Sequence, residues 1–183
     1  MREGYSADDA ALVASVNRGE VDAFAELYQR HRDWVVRLAF RFTGDEALAL
    51  DVMQETFLYF LQKFPGFALR ASLRTFLYPA VRNLSIAARR KARRCQSDGA
   101  GLEALDNQAV IGSTPGRLQD LQSVLAGLSE AHREVLLLRF VDGLSLEEIA
   151  FATEAPLGTV KSRLHNALKL LRENPRTREL FAE

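Results

Sequence analysis

The chain has one cysteine among 183 residues, Cys95. No internal disulfide can form, and a cysteine-rich zinc site is excluded. Its three histidines, His31, His132 and His165, stand far apart with no ligand spacing, as surface or packing histidines do. No apolar run approaches the roughly 20 residues that a membrane span needs. The opening MREGYSADDA lacks the apolar core of a secretory signal. No membrane insertion is expected, and the expected location is the cytoplasm. A phosphate-cradling glycine loop, a metal cluster and a coherent catalytic set are also missing, so neither an enzyme nor a bound cofactor is expected. Strand signals and internal repeats are missing as well.

One absence is local. From Thr56 to Ser97 the chain has no Asp or Glu, although it has 24 in all, and it places nine of its 24 Lys and Arg there. The formal net charge of zero therefore hides a basic stretch on an acidic body. A packed helix with a one-sign surface is a docking face for a polyanion, whereas a short basic run alone is ordinarily a solvated helix end. An acidic body opposes long-range attraction to phosphates, so either a partner assists DNA binding or DNA is not the target.

What is present is helical periodicity, on an apolar fraction of 48% that suffices for packed cores. Ser6 is the expected N-cap of a short helix with Asp9 at its third position, Leu12, Val13 and Val16 inward, and Asn17-Arg-Gly19 as its end. A second helix is expected over Val21–Phe42, with Trp34 as a packing residue, and Gly44 and Asp45 cap the break that follows. A third, Glu46–Phe64, turns Leu50, Met53, Phe57, Phe60, Leu61 and Phe64 inward and sets Asp51, Gln54 and Glu55 on another side. Pro65-Gly66 stops it. After a short loop, Ser72 caps the basic helix to Arg94, in which Leu73, Phe76, Leu77, Ala80, Val81 and Leu84 form one buried face. From Cys95 to Gly116 the periodicity fails, which marks a flexible linker and a domain boundary.

Beyond the linker, Arg117–Leu128 and a helix after Ser129 supply a core of Leu118, Leu121, Val124, Leu125, Leu128, Val135, Leu136, Leu138 and Phe140. Ser145-Leu-Glu-Glu148 is a capping box opening a short helix. A turn at Thr153–Pro156 leads to a longer helix from Pro156 or Leu157 to Arg172, and Pro156 fits a first turn. Short helix, tight turn and longer basic helix are the parts of a helix-turn-helix. Ile149 and Ala150 are expected at the crossing, with Val160 and Leu164 beneath. That leaves Thr159, Lys161, Ser162, Arg163, His165 and Asn166 toward the exposed side, all able to meet phosphates or base edges. Glu154 stands where such turns usually hold glycine, at a cost of roughly 1–2 kcal/mol. A three-helix packing unit without DNA contact is the plainer alternative.

With both halves placed, the chain resembles the extracytoplasmic-function group of bacterial sigma factors in the sigma-70 family. The resemblance rests on DVMQETFLYFLQKFPGF (Asp51–Phe67), SLRTFLYPAVRNLSIAARRKARR (Ser72–Arg94) and LSEAHREVLLLRFVDGLSLEEIA with GTVKSRLHNAL (Leu128–Leu168). It implies an all-α fold of two small helical domains joined by a flexible linker. Residues 1–95 would resemble region 2, 96–116 the linker, 117–174 the helix-turn-helix region 4, and 175–183 a tail. It implies a promoter-specificity subunit that binds the clamp and flap of core RNA polymerase, engages the −10 and −35 promoter elements, and is held by an anti-sigma factor. The D-x-x-Q-E signature implies core binding by Asp51, Gln54 and Glu55. It also implies a pocket of Phe67 and Asn83 for a base flipped from the −10 strand, with Arg82, Arg89, Arg90, Lys91, Arg93 and Arg94 on the DNA backbone. The −35 element would meet Thr159, Lys161, Ser162, Arg163, His165 and Asn166.

Several residues depart from the family pattern. Phe76 replaces a frequent Trp, Pro79-Ala80 a frequent Arg-Ile, and Asn166 and Leu168 frequent arginines. Pro79 removes the hydrogen bond to the Thr75 carbonyl and is expected to kink the helix. Neither a promoter-reading first region of the housekeeping kind nor an extension after Glu183 is expected. The rival is a dimeric helix-turn-helix regulator that does not bind polymerase, for which the Asp51/Gln54/Glu55 cluster and the basic helix have no use. A small nucleic-acid enzyme is the other class.

Overall fold

The computed structural model describes residues 4–97 and 124–174. Every regular element among them is an α-helix. The chain divides into two compact units, Met1–Val110 and Ile111–Glu183.

The first unit holds α1 (Gly4–Asn17), α2 (Val21–Thr43), α3 (Glu46–Leu61) and α4 (Leu73–Ser97). Local chemistry sets most of the breaks. Gly44 takes the left-handed conformation (φ 69°) and donates its N–H to the Phe40 carbonyl, closing α2. The Asp45 carboxylate accepts the Leu48 N–H at 2.9 Å and opens α3. Ser72 caps α4: its hydroxyl accepts the Thr75 N–H at 3.3 Å, and its carbonyl accepts the Phe76 N–H at 3.2 Å. α4 runs unbroken past Pro79 and ends at Ser97, two residues beyond the expected domain end. The remainder of the expected linker lies outside the described residues, as do Leu118, Leu121 and the tail.

Leu27, Trp34, Val35, Leu38, Val52, Phe57, Phe60, Leu73, Leu77, Tyr78 and Val81 make the core where α2, α3 and α4 meet. Fully burying side chains of this size stabilises the unit by roughly 1.5–3 kcal/mol each, before chain entropy is charged against it. Phe24, Phe60, Phe64, Phe67 and Phe76 join in one aromatic cluster at the end of α3, with Phe60 at its centre.

α1 departs from expectation. It starts at Gly4, so Ser6 lies inside the helix, and Asp9 is not part of a cap. Asp9 is only 3% exposed and its carboxylate meets His31 Nε2 at 2.9 Å, with His31 itself 5% exposed. Arg30 pairs with Asp8 and lies 3.7 Å from the other Asp9 oxygen. A buried acid costs several kcal/mol unless it is paired, and this partner set fixes α1 on α2.

The second unit holds a helical turn at residues 124–126, then α5 (Glu130–Phe140), α6 (Leu146–Ala152) and α7 (Leu157–Glu173). Leu125, Leu128, Leu136 and Ala167 form one buried cluster with Leu137 and Leu171 against it. Val135, Leu138, Leu144, Ile149, Ala152 and Val160 are buried as well. Two expectations fail here. Phe140 is 61% exposed, because it is the last residue of α5 and turns away from the core. Ala152, not Ala150, is the buried small residue of α6. Leu157, one of the two expected starts, is the first residue of α7, with Pro156 as its N-cap.

Candidate nucleic-acid and partner interfaces

α3 divides cleanly. Ala49, Val52, Met53, Thr56, Phe57 and Phe60 are buried, whereas Asp51, Gln54 and Glu55 are exposed as expected. Leu50 and Leu61 correct the sequence expectation. They are 42% and 46% exposed, and Leu58 is 59% exposed. At 100° per residue these three leucines share one face with Asp51, Gln54 and Glu55. The outer face of α3 is therefore apolar and acidic together.

The loop after α3 is held from a distance. Gly66 takes φ 100°, and its N–H donates to the Asn17 side-chain oxygen at 2.7 Å. Asn17 Nδ2 in turn donates to the Phe67 carbonyl at 2.8 Å. The Phe67 ring is half-buried, with centroid separations of 4.6 Å from Phe76, 5.4 Å from Phe60 and 5.6 Å from Phe64. Both accounts of Phe67, packing residue and aromatic wall, are compatible with this position. Asn83 is exposed two turns beyond Phe76 on the same face of α4, about 10 Å along the axis. Sequence marks Asn17 only as a helix terminator. Its role depends on contacts fifty residues away, which no local pattern carries.

The basic residues of α4 separate into two groups. Asn83, Arg90 and Arg94 fall at i, i+7 and i+11 on one exposed stripe, with Lys91 and Arg93 exposed beside it. Arg82 and Arg89, seven residues apart, are half-buried on another side. Arg89 donates to the Phe42 carbonyl at 3.1 Å, capping the end of α2 with a cation. Further along the helix toward its start, the Arg74 guanidinium sits 5.7 Å from the Trp34 ring.

In the second unit the capping box at α6 is complete. Ser145 Oγ accepts the Glu148 N–H at 3.1 Å, and Glu148 accepts the Ser145 N–H at 2.8 Å. Glu154 does adopt the left-handed conformation, φ 52°. The turn is stitched by Ala155 N–H to the Ala150 carbonyl at 3.0 Å and by the Thr153 hydroxyl to the Ile149 carbonyl at 2.7 Å. Val160 and Ala167 anchor α7, leaving Lys161, Ser162, His165 and Asn166 exposed on one stripe. Thr159 and Arg163 are half-buried at its flank. Lys169 and Arg172 extend the same stripe, and their i+4 and i+7 spacing from His165 is the sequence signal for them.

Among the described residues there is no group of His, Cys, Asp and Glu able to hold a metal, and no helix long and apolar enough to cross a membrane.

The sequence profile of sigma-70 region 2 matches residues 27–95, and that of sigma-70 region 4 matches residues 118–171. The chain is 34% identical over 168 residues to the ECF RNA polymerase sigma factor SigL of Mycobacterium tuberculosis, covering 88% of this chain and 94% of the relative. It is 29% identical over 177 residues to the ECF RNA polymerase sigma factor SigW of Bacillus subtilis, covering 90% and 95%. Among solved structures it is similar to the sigma factor RpoE of Bartonella quintana, crystallised with the anti-sigma factor NepR. The TM-score is 0.62 at 26% identity, over 88% of this chain and 98% of that one. CnrH, solved in complex with the cytosolic domain of CnrY, shares the fold at TM-score 0.66 and 23% identity, over 96% and 99%.

Proposed function

The chain belongs to the ECF RNA polymerase sigma factors, and on that premise we propose how its two units divide the work of starting transcription. It is a promoter-specificity subunit that binds core RNA polymerase and promoter DNA. The polymerase performs the chemistry and this chain performs none. Its place of action is the cytoplasm, where both partners are.

The observation that carries the division of labour is the outer face of α3. Asp51, Gln54 and Glu55 stand among three exposed leucines there, a face suited to a protein partner bearing Arg or Lys and apolar side chains. We assign this face to the polymerase clamp. The flap belongs to the second unit. Phe67 and Asn83 line the site for one unstacked base of the −10 strand: a ring supplies the wall and an amide pairs with the base edge. Arg90, Lys91, Arg93 and Arg94 hold the backbone on either side, with Arg82 and Arg89 at the inner edge. In the second unit α7 enters the −35 major groove with Lys161, Ser162, His165 and Asn166 leading and Thr159 and Arg163 flanking. Docking on polymerase answers the charge problem, since a subunit with no net charge that is delivered by a partner does not need long-range attraction of its own. An anti-sigma factor is the regulator this reading calls for, in line with the partner of the similar Bartonella sigma factor.

Transcription in vitro with core polymerase on a genomic promoter pool, with start sites mapped, tests this function. Starts preceded by paired −35 and −10 elements are expected. Failure to bind core at physiological salt would sink it and revive the dimeric regulator.

A further inference from the structure

The Gly66–Phe67 loop does not hold itself in place. It has a left-handed glycine, and the Gly66 N–H and the Phe67 carbonyl both bond to one side chain of a different helix. We propose that Asn17 is a positioning residue for promoter recognition. Its carboxamide fixes the backbone that carries Phe67, and so sets the wall of the base site. This rests on the assignment of Phe67 and Asn83 to that site.

The chemistry is selective. A carboxamide presents a donor and an acceptor side by side. Here the acceptor takes the Gly66 N–H at 2.7 Å and the donor serves the Phe67 carbonyl at 2.8 Å. A carboxylate would keep the first bond and set two oxygens against each other at the second. A hydroxyl cannot span both. Asn17 is half-buried and is the last residue of α1, so its own position is inherited from that helix. α1 is in turn pinned to α2 by the buried Asp9–His31 pair at 2.9 Å and by Arg30. The path runs from the α1–α2 contact through one amide to the ring facing DNA. Phe67 also packs on Phe60, Phe64 and Phe76, which hold the ring but leave the carbonyl and the Gly66 N–H to Asn17.

The experiment uses holoenzyme assembled from core polymerase and the full chain. A single-stranded DNA pool with a randomised core is selected on it and sequenced, and the strongest single-base preference is compared among variants. Losing two amide bonds is expected to lower that preference by roughly three- to tenfold in Asn17→Ala. Amide exchange over Gly66–Phe67 should rise on the order of tenfold. Core affinity should be unchanged, and Arg18→Ala, at the exposed neighbour, should leave every readout alone. If Asn17→Ala unfolds the unit, Asn17→Asp carries the same expectation, because it removes only the donor. An unchanged preference in the Asn17 variants, alongside a lost one in Phe67→Ala or Asn83→Ala, overturns the proposal and leaves the base site standing. Unchanged preference in all of them removes the base site, and the proposal with it.

Discussion

The two units solve one problem, holding short helices together, with different materials. The first packs an aromatic cluster and adds a buried acid–histidine pair. The buried core of the second is aliphatic among the described residues. Each uses an arginine on backbone carbonyls. In the first, Arg89 reaches the Phe42 carbonyl of α2. In the second, Arg133 donates to the carbonyls of Leu125, Ala126 and Leu128 at 2.9, 3.2 and 3.0 Å. Each also has a left-handed residue at a helix break, glycine at position 44 but glutamate at 154. A small aliphatic unit that tolerates strain in its turn has less stability in reserve than the larger aromatic one.

The largest effect should come from its core. Ile149 is fully buried in α6, and Ile149→Ala should cost about 2–5 kcal/mol. That is a large share of what so small a domain possesses. Trp34, the single tryptophan, lies in the first unit and reports on that unit alone. Far-ultraviolet dichroism should show helix lost at lower temperature while the Trp34 fluorescence transition stays in place. Leu77→Ala, at a fully buried site of α4, should instead move the Trp34 transition. A common shift from both substitutions would break the contrast.

The arginines come next. Arg133→Ala removes three charge-assisted bonds and should cost about 2–3 kcal/mol in the second unit, whereas Arg89→Ala removes one and should cost about 1 kcal/mol in the first. Arg90→Ala, on the exposed stripe of α4, should leave stability within about 0.5 kcal/mol. It should nevertheless lower the salt dependence of promoter binding by about one unit of slope. Equal stability losses for Arg89 and Arg90 would show that the division of the basic helix into inner and outer arginines is wrong.

Sequence makes most of the caps legible, though not that of α1, because a cap is local. Ser72, Asp45 and the Ser145/Glu148 box each act within three residues, so their chemistry is visible in the string itself. The left-handed Glu154 was legible for the same reason. Leu50, Leu61 and Phe140 were not. An apolar period reports that a residue avoids water in some state, and cannot separate a core from a face kept for another molecule. Asp9 left a trace that could have been followed. It sits four residues before the buried Val13 on the apolar side of α1, where an acid must find a partner. That the partner was His31 could not be read, nor that Asn17 held Gly66 and Phe67, since these pairs lie 22 and about 50 residues apart.

The smallest effect is the most direct comparison of the two units. Glu154 pays for a left-handed backbone with roughly 1–2 kcal/mol, and glycine would return about 0.5–1 kcal/mol of that as extra freedom of the unfolded chain. Glu154→Gly should therefore stabilise the second unit by about 0.5–1 kcal/mol, a rise of a few degrees in melting temperature for a domain this small. The side chain is exposed, so little packing is lost. Gly44→Ala is the opposite change at the matching geometry, φ 69°, and should lower the Trp34 transition by a comparable amount. Differential scanning calorimetry on both variants settles the sign. If Glu154→Gly destabilises, the glutamate side chain contributes more to the turn than its backbone strain removes, and the second unit is not the one that carries uncompensated strain.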